Sequence, residues 1–134
     1  MALLHYLFLI SVFSLHSGQF LSECERHAEA AQIYQKGVQI SPGEYELVFN
    51  LANALRQSGR NVEAERFYKD SVRLRPNEVT SHMNLGAMLH VNGKLDEAET
   101  SYLQALRLKP DDVTTQTNLA KLRHLLNQKR SSRR

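Results

Sequence analysis

Apolar residues recur along the chain at helical spacing and again at a longer fixed interval. Leu51 and Leu55 lie four residues apart, as residues on one face of a helix do, and the same pair returns as Leu85 and Leu89. Many residues between the two pairs are charged, such as Arg56, Glu63 and Arg66. This pattern predicts six helices, over about 23–40, 45–58, 61–75, 79–92, 95–109 and 113–127.

The three prolines set the longer interval. Pro42, Pro76 and Pro110 lie 34 residues apart, and each follows the same series, Glu-Ala-x3-Tyr-x7-Pro. Gly59 and Gly93 share another phase of this period, at the expected end of a helix, where a positive φ favours glycine. A fixed period of this length indicates an array of helical hairpins.

This pattern resembles the tetratricopeptide repeat, whose units place small and large residues in register on two antiparallel helices. The resemblance covers about residues 23–127 and implies an all-α fold of helical hairpins stacked as a short right-handed solenoid. The expected organisation is an apolar leader (1–22), a partial repeat (23–44), two whole repeats (45–78 and 79–112), a capping helix (113–127) and a disordered basic tail (128–134).

The leader is apolar and carries no formal charge over residues 1–15. It resembles the apolar core of a secretory signal, but no Lys or Arg precedes it and no clean cleavage site follows. The repeat phase offers another interpretation, since Gly18 and Leu21 stand where the first helix of a repeat has Gly and a large residue. Both interpretations remain open: the leader is a signal or anchor, or it is a degraded first helix of a repeat.

Composition excludes several classes of function. The net charge of +3 comes from six basic residues beyond Asp112, so the isoelectric point near 9.2 does not predict nucleic-acid binding. One cysteine, Cys24, excludes an internal disulfide and a multi-thiolate zinc site, and we interpret it as a partly buried thiol. No catalytic, metal-binding or cofactor-binding motif is present in the sequence, so we expect no cofactor.

In the tetratricopeptide family the first helices of the repeats line a concave groove. The resemblance implies a peptide-binding groove formed by Asn50, Asn84, Asn118, Asn53, Phe49, Met83, Arg56, His90 and Lys121. The column of one Asn per repeat resembles that of the O-linked N-acetylglucosamine transferase superhelix, because an amide can bracket a peptide backbone. Alternatively, these amides bond neighbouring helices and stabilise the array.

A carboxylate clamp for chaperone C-termini would need Lys and Arg beside the asparagines. At the positions where those cations should lie or should flank the asparagines, the chain has Phe49, Thr80 and Met83. The sequence therefore predicts an extended polypeptide as partner and argues against a chaperone tail.

Two segments resemble a more specific family. Residues 84–93 and 112–126 are similar to the C-terminal repeats of the transmembrane and tetratricopeptide repeat-containing proteins, which resemble dolichol-phosphate-mannose-dependent O-mannosyltransferases. That resemblance implies an array on the lumenal side of the endoplasmic reticulum, which holds acceptor protein or packs on a membrane domain of a longer parent. The alternative is a stand-alone cytoplasmic adaptor.

Overall fold

A computed structural model describes residues 2–23 and 25–134, and over these residues the chain is all-α, without a strand. The helices are α1 (Ala2–Glu23), α2 (His27–Ile40), α3 (Tyr45–Gln57), α4 (Asn61–Leu74), α5 (Val79–Val91), α6 (Leu95–Leu108) and α7 (Val113–Ser132). The predicted class of fold, helical hairpins of the tetratricopeptide type, is confirmed. The interpretation of Cys24 falls outside the described residues.

The chain divides into two compact units, Met1–Arg75 and Pro76–Arg134. In the first unit α1 packs on α2, α2 on α3 and α3 on α4, and α1 also contacts α3. In the second unit α6 packs on both α5 and α7. Each unit therefore has its own apolar core, which contains Leu47, Leu51, Leu55 and Tyr68 in the first and Leu89, Tyr102 and Leu122 in the second.

In two hairpins, α1 with α2 and α5 with α6, a glycine faces a tyrosine ring. A Cβ added to Gly18 would lie 2.4 Å from Cε1 of Tyr34, and a Cβ added to Gly86 would lie 2.7 Å from the ring of Tyr102. Both rings are almost fully buried. In these two hairpins a Cβ would collide with the ring, whereas α3 has Ala52 at the same repeat phase, so small residues at this position set the helix spacing.

Glycine also ends the first helix of each regular hairpin. Gly59 and Gly93 have φ of 82° and 81°, as the sequence predicted. The Gly59 amide donates to the carbonyl of Arg56 (3.0 Å), and the Arg60 amide donates to that of Leu55 (2.8 Å). This pair of bonds is the Schellman motif, which satisfies the last carbonyls of the helix.

Helix α1 ends in the same motif without a glycine. The Glu25 amide donates to the carbonyl of Ser22 (3.0 Å), and the Arg26 amide donates to that of Leu21 (2.8 Å). Glu25 therefore has a φ of 58°, which is unfavourable for a residue with a side chain. This break puts the start of α2 at His27, so the predicted helix over 23–40 began too early.

Residues 2–23 form one continuous helix, α1, which packs on α2 in phase with the later hairpins. By length and composition α1 is the one helix in the described part of the chain that could cross a membrane, with a mean hydropathy of 1.2 over its best window. Its buried residues are small or polar, Ser11, Ser14 and Gly18, whereas Phe13 and Phe20 are exposed.

Helix α7 continues to Ser132, so the prediction of a disordered tail at 128–134 was wrong for residues 128–132. No Gly or Pro interrupts the sequence after Pro110, and Lys, Arg and Gln are good helix formers. Lys129 and Arg130 lie in the last turn, where positive charge interacts favourably with the helix dipole.

Candidate functional site

A groove of about 640 Å³ lies between α1 and α3 in the first unit. Its lining is mostly polar, with Tyr34 as its one aromatic residue. The lining residues are Leu15, His16, Gln19, Ser22, Glu23, Tyr34, Glu46, Asn50, Asn53, Arg56 and Gln57. The structure therefore brings three of the predicted site residues together in one concave surface, Asn50, Asn53 and Arg56.

The α1 side of this groove was missed by the sequence prediction. His16, Gln19 and Ser22 lie 34 residues before Asn50, Asn53 and Arg56, at the same phase of the repeat. Applying the period one step further towards the N-terminus would have found them. They were overlooked because residues 1–22 were assigned to an apolar leader or a degraded first helix, from which no groove residue was predicted.

A partly buried hydrogen bond fixes the orientation of Asn53. The hydroxyl of Tyr68 donates to the Asn53 side-chain oxygen, and Tyr68 is fully buried. Burial raises the pKa of Tyr68 to about 12, although the nearby charge of Arg56 lowers it slightly, so the phenol keeps its proton at neutral pH. Because the amide oxygen accepts this bond, the Asn53 amino group is directed to donate elsewhere.

Charges of both signs border the groove. Arg56 contributes one cation, and Glu23 and Glu46 contribute two carboxylates. Arg75 pairs with Glu46 at 3.4 Å, and its guanidinium lies 4.4 Å from the ring centroid of Tyr45. Both partners of this ion pair are about half exposed, so the pair contributes little to stability and leaves the groove without a strong net charge.

Phe49 is half-buried and packs against two aromatic rings. Its ring stacks on Tyr45 with centroids 5.5 Å apart and meets Tyr68 edge-on at 6.0 Å. It does not line the α1–α3 groove.

The remaining predicted site residues lie on α5 and α7 of the second unit. Asn84 is only 6% exposed, Met83, His90 and Asn118 are half-buried, and Lys121 is exposed. The position that lines the groove in α3 is therefore largely buried in α5, and the two asparagines are not equivalent.

Other polar side chains in the second unit hold its helices. The ring Nε2 of His82 lies 2.7 Å from the carbonyl of Pro76, and the Gln116 amide donates to the carbonyl of Pro110 at 2.8 Å. These two residues share one phase of the repeat and tie each first helix to the proline before it. Among the described residues no group of three or more His, Cys, Asp or Glu could hold a metal ion.

A model of the tetratricopeptide repeat matches residues 25–79 and 49–113, which together span about two-thirds of the chain. The chain therefore belongs to the tetratricopeptide repeat family. No curated protein matches it.

Solved structures with the same fold are numerous. The first such domain of Spaghetti (RPAP3), bound to the HSP90 peptide SRMEEVD, superposes with a TM-score of 0.83 at 24% identity, covering 87% of this chain and 93% of that one. The second domain of human RPAP3, in complex with an HSP70 peptide, gives 0.83 at 20% identity, with 87% and 98% covered. The O-GlcNAc transferase of Thermobaculum terrenum gives 0.75 at 22% identity, covering 87% of this chain and 22% of the enzyme.

Proposed function

We propose that this protein is an interaction module that holds an extended polypeptide segment in the α1–α3 groove of its first unit. The observation that carries the proposal is the row of amides there. Gln19, Asn50, Asn53 and Gln57 all line one concave surface. Each amide has donors and an acceptor, so together they can bond successive peptide groups of an extended chain whatever its side chains.

The fixed rotamer of Asn53 supports this role. Since the Tyr68 hydroxyl occupies its oxygen, Asn53 presents its amino group as a donor, which suits a peptide carbonyl. A donor that is held in place before binding loses less entropy when the peptide arrives.

The charge of the groove favours a neutral or mixed-charge peptide. Two of the similar structures hold chaperone peptides that end in Glu-Glu-Val-Asp. Here Glu46 is paired with Arg75, and Glu23 stands opposite the one lining cation, Arg56, so the groove offers an acidic tail no excess of positive charge. We therefore expect the peptide SRMEEVD to bind this chain at least tenfold more weakly than peptides without acidic residues.

The test is a display of random seven- to ten-residue peptides on the whole chain, followed by fluorescence polarisation with the selected peptides. Gln19→Ala with Asn50→Ala should weaken binding about tenfold or more, because two hydrogen-bonding amides are lost. Asn118→Ala, the same residue type at the same repeat phase in the second unit, is the matched control. Equal binding by all variants would exclude the groove, and an equal loss from Asn118→Ala would favour the asparagine column over the α1–α3 groove.

A narrower proposal concerns the protein's setting. The similarity of residues 84–93 and 112–126 to mannosyltransferase repeats suggests a lumenal array of the endoplasmic reticulum that holds acceptor proteins; this rests on the sequence resemblance alone. A protease-protection assay on microsomes tests it. Digestion of the repeats from the cytoplasmic side would instead favour a cytoplasmic adaptor.

A further inference from the structure

The first part of α1 extends past the end of its partner helix. The two helices run antiparallel, since Gly18 faces Tyr34 and a Cβ added to Gly37 would lie 2.9 Å from Cβ of Ser14. This register places Ser11 near the end of α2 at Ile40. Residues 2–10, which we call the overhang, therefore project beyond α2 by roughly 13 Å at 1.5 Å per residue.

The exposed side chains of the overhang are mostly apolar and lie around its axis; His5 is the polar exception, and Leu7 and Ile10 are half-buried. Successive residues of a helix are rotated by about 100°, so Leu3, Leu4, Tyr6, Phe8 and Leu9 point in different directions around the axis. Their side chains are 69%, 69%, 62%, 63% and 51% exposed. No residue from 2 to 22 carries a formal charge at neutral pH. A second protein helix would cover one side of such a cylinder, whereas the hydrocarbon of a bilayer covers all sides.

The packing of α1 against α2 argues that α1 does not cross the whole bilayer. A span needs about 20 residues in the hydrocarbon, which would include Ser14 and Gly18. Those residues contact Gly37 and Tyr34 of α2, a helix that carries Glu29 and several amides. A spanning α1 would therefore have to lose its hairpin or draw a charged helix into the bilayer, at high cost.

We propose that the overhang inserts into one leaflet of a lipid bilayer while the hairpins stay at its surface. Its length of roughly 13 Å matches half of a hydrocarbon core about 30 Å thick. The apolar surface continues on the outer side of α1 as a groove of about 520 Å³, lined by Phe13, Phe20, Leu21 and Ile33 with His16 and Ser17. The end of this surface nearest the overhang, at Phe13, would reach the interface beside the inserted segment.

The chain has no tryptophan, which allows a clean test. Phe8→Trp places a single fluorophore on the overhang, and Val62→Trp places one on α4 at a residue that is 76% exposed. Both full-length variants are mixed with vesicles of uncharged, zwitterionic phosphatidylcholine. We expect the Phe8→Trp emission to shift to shorter wavelength and to be quenched by brominated acyl chains. The Val62→Trp emission should not change.

A charged variant checks the assignment. Leu4→Glu with Phe8→Glu should reduce vesicle binding about tenfold or more, because charges are costly in hydrocarbon. The helical circular dichroism should stay unchanged, since neither side chain is buried in the hairpin.

Three results would overturn the proposal. One is the absence of binding to the uncharged vesicles. If only anionic vesicles bind the chain, and salt releases it, the binding would be assigned to the basic residues of α7. Another is a concentration-dependent shift of the Phe8→Trp emission without lipid, which would assign the overhang to a second copy of the chain. The third is equal quenching of Phe8→Trp and Val62→Trp, which would mean that the whole first unit enters the lipid.

Discussion

The hairpin of α1 and α2 and the hairpin of α5 and α6 close in the same way with different side chains. Each has a glycine against a buried tyrosine ring, Gly18 with Tyr34 and Gly86 with Tyr102. Each first helix ends in a Schellman motif. At the turn, however, the second of these hairpins has Gly93 where the first has Glu25.

The two first helices also differ in what they bury. Leu85, Met88 and Leu89 of α5 are buried, whereas α1 buries Ser11 and Ser14 and exposes its aromatic rings. The comparison teaches that the backbone of this hairpin depends on a few small residues and a turn. The large residues decide what the hairpin contacts. Those of α5 pack in the protein core, whereas the aromatic rings of α1 are exposed at the surface.

The largest expected effect comes from filling the glycine contact. Gly86→Val should lower the free energy of unfolding by about 3 kcal/mol, because the new side chain collides with the buried ring of Tyr102. Gly18→Val should cost less, since α1 can leave α2 while α3 and α4 stay paired. Urea unfolding gives both free energies, and hydrogen exchange of the α1 amides shows whether that helix is released.

Retained protection of α1 in Gly18→Val, together with a loss equal to that of Gly86→Val, would contradict this difference. It would mean that the first hairpin is as tightly coupled to its unit as the regular one.

Exchanging the turn residues should sharpen the comparison. Glu25→Gly should stabilise the chain by about 1 kcal/mol, because it removes the cost of a positive φ for a residue with a side chain. Gly93→Ala should destabilise it by a similar amount for the opposite reason. Thermal unfolding measures both. If Glu25→Gly lowers the stability instead, the glutamate side chain stabilises the chain by more than its positive φ costs. Glu23→Gly is the control, because Glu23 lies at a helical position.

The smallest effect concerns the start of α7. Asp112 accepts hydrogen bonds from the hydroxyl and the amide of Thr115, the amide bond being 3.1 Å, and these bonds hold its pKa below the ordinary 3.8. Its contribution is therefore present above the unfolded pKa and is lost as the pH falls through the lower folded pKa. Asp112→Ala should cost about 0.5–1 kcal/mol at pH 7 and less at acid pH.

The neighbouring carboxylate provides the control for this prediction. Asp111 is exposed and does not cap α7, so Asp111→Ala should leave the stability nearly unchanged. An equal loss from both substitutions at all pH values would attribute the effect to general charge and not to the cap.

The sequence was sufficient for the regular hairpins because their constraints are local and repeated. Pro42, Pro76 and Pro110 fixed the period, and Gly59 and Gly93 fixed the helix ends. The irregular ends were harder. Residues 2–23 fold as a repeat helix although their composition suggests a leader, because the packing against α2 needs only Ser14 and Gly18 in phase.

The candidate site was predicted in part for a related reason. Asn50, Asn53 and Arg56 meet in the α1–α3 groove, but the facing residues His16 and Gln19 were obscured by the apolar sequence around them. The burial of Asn84 and the packing of Phe49 between Tyr45 and Tyr68 depend on neighbouring helices, which repeat phase alone does not specify.

The spacing of the tyrosines gives the molecule its own set of chemical footprinting probes. Tyr34, Tyr68 and Tyr102 are buried, one in each hairpin, and Tyr45 is half-buried, whereas Tyr6 is 62% exposed on the overhang. Iodination in water should therefore label Tyr6 first and should label each buried ring only when its own hairpin opens. Mass spectrometry of the labelled peptides would follow the opening of each hairpin and the covering of the overhang in one chain without any amino-acid substitution.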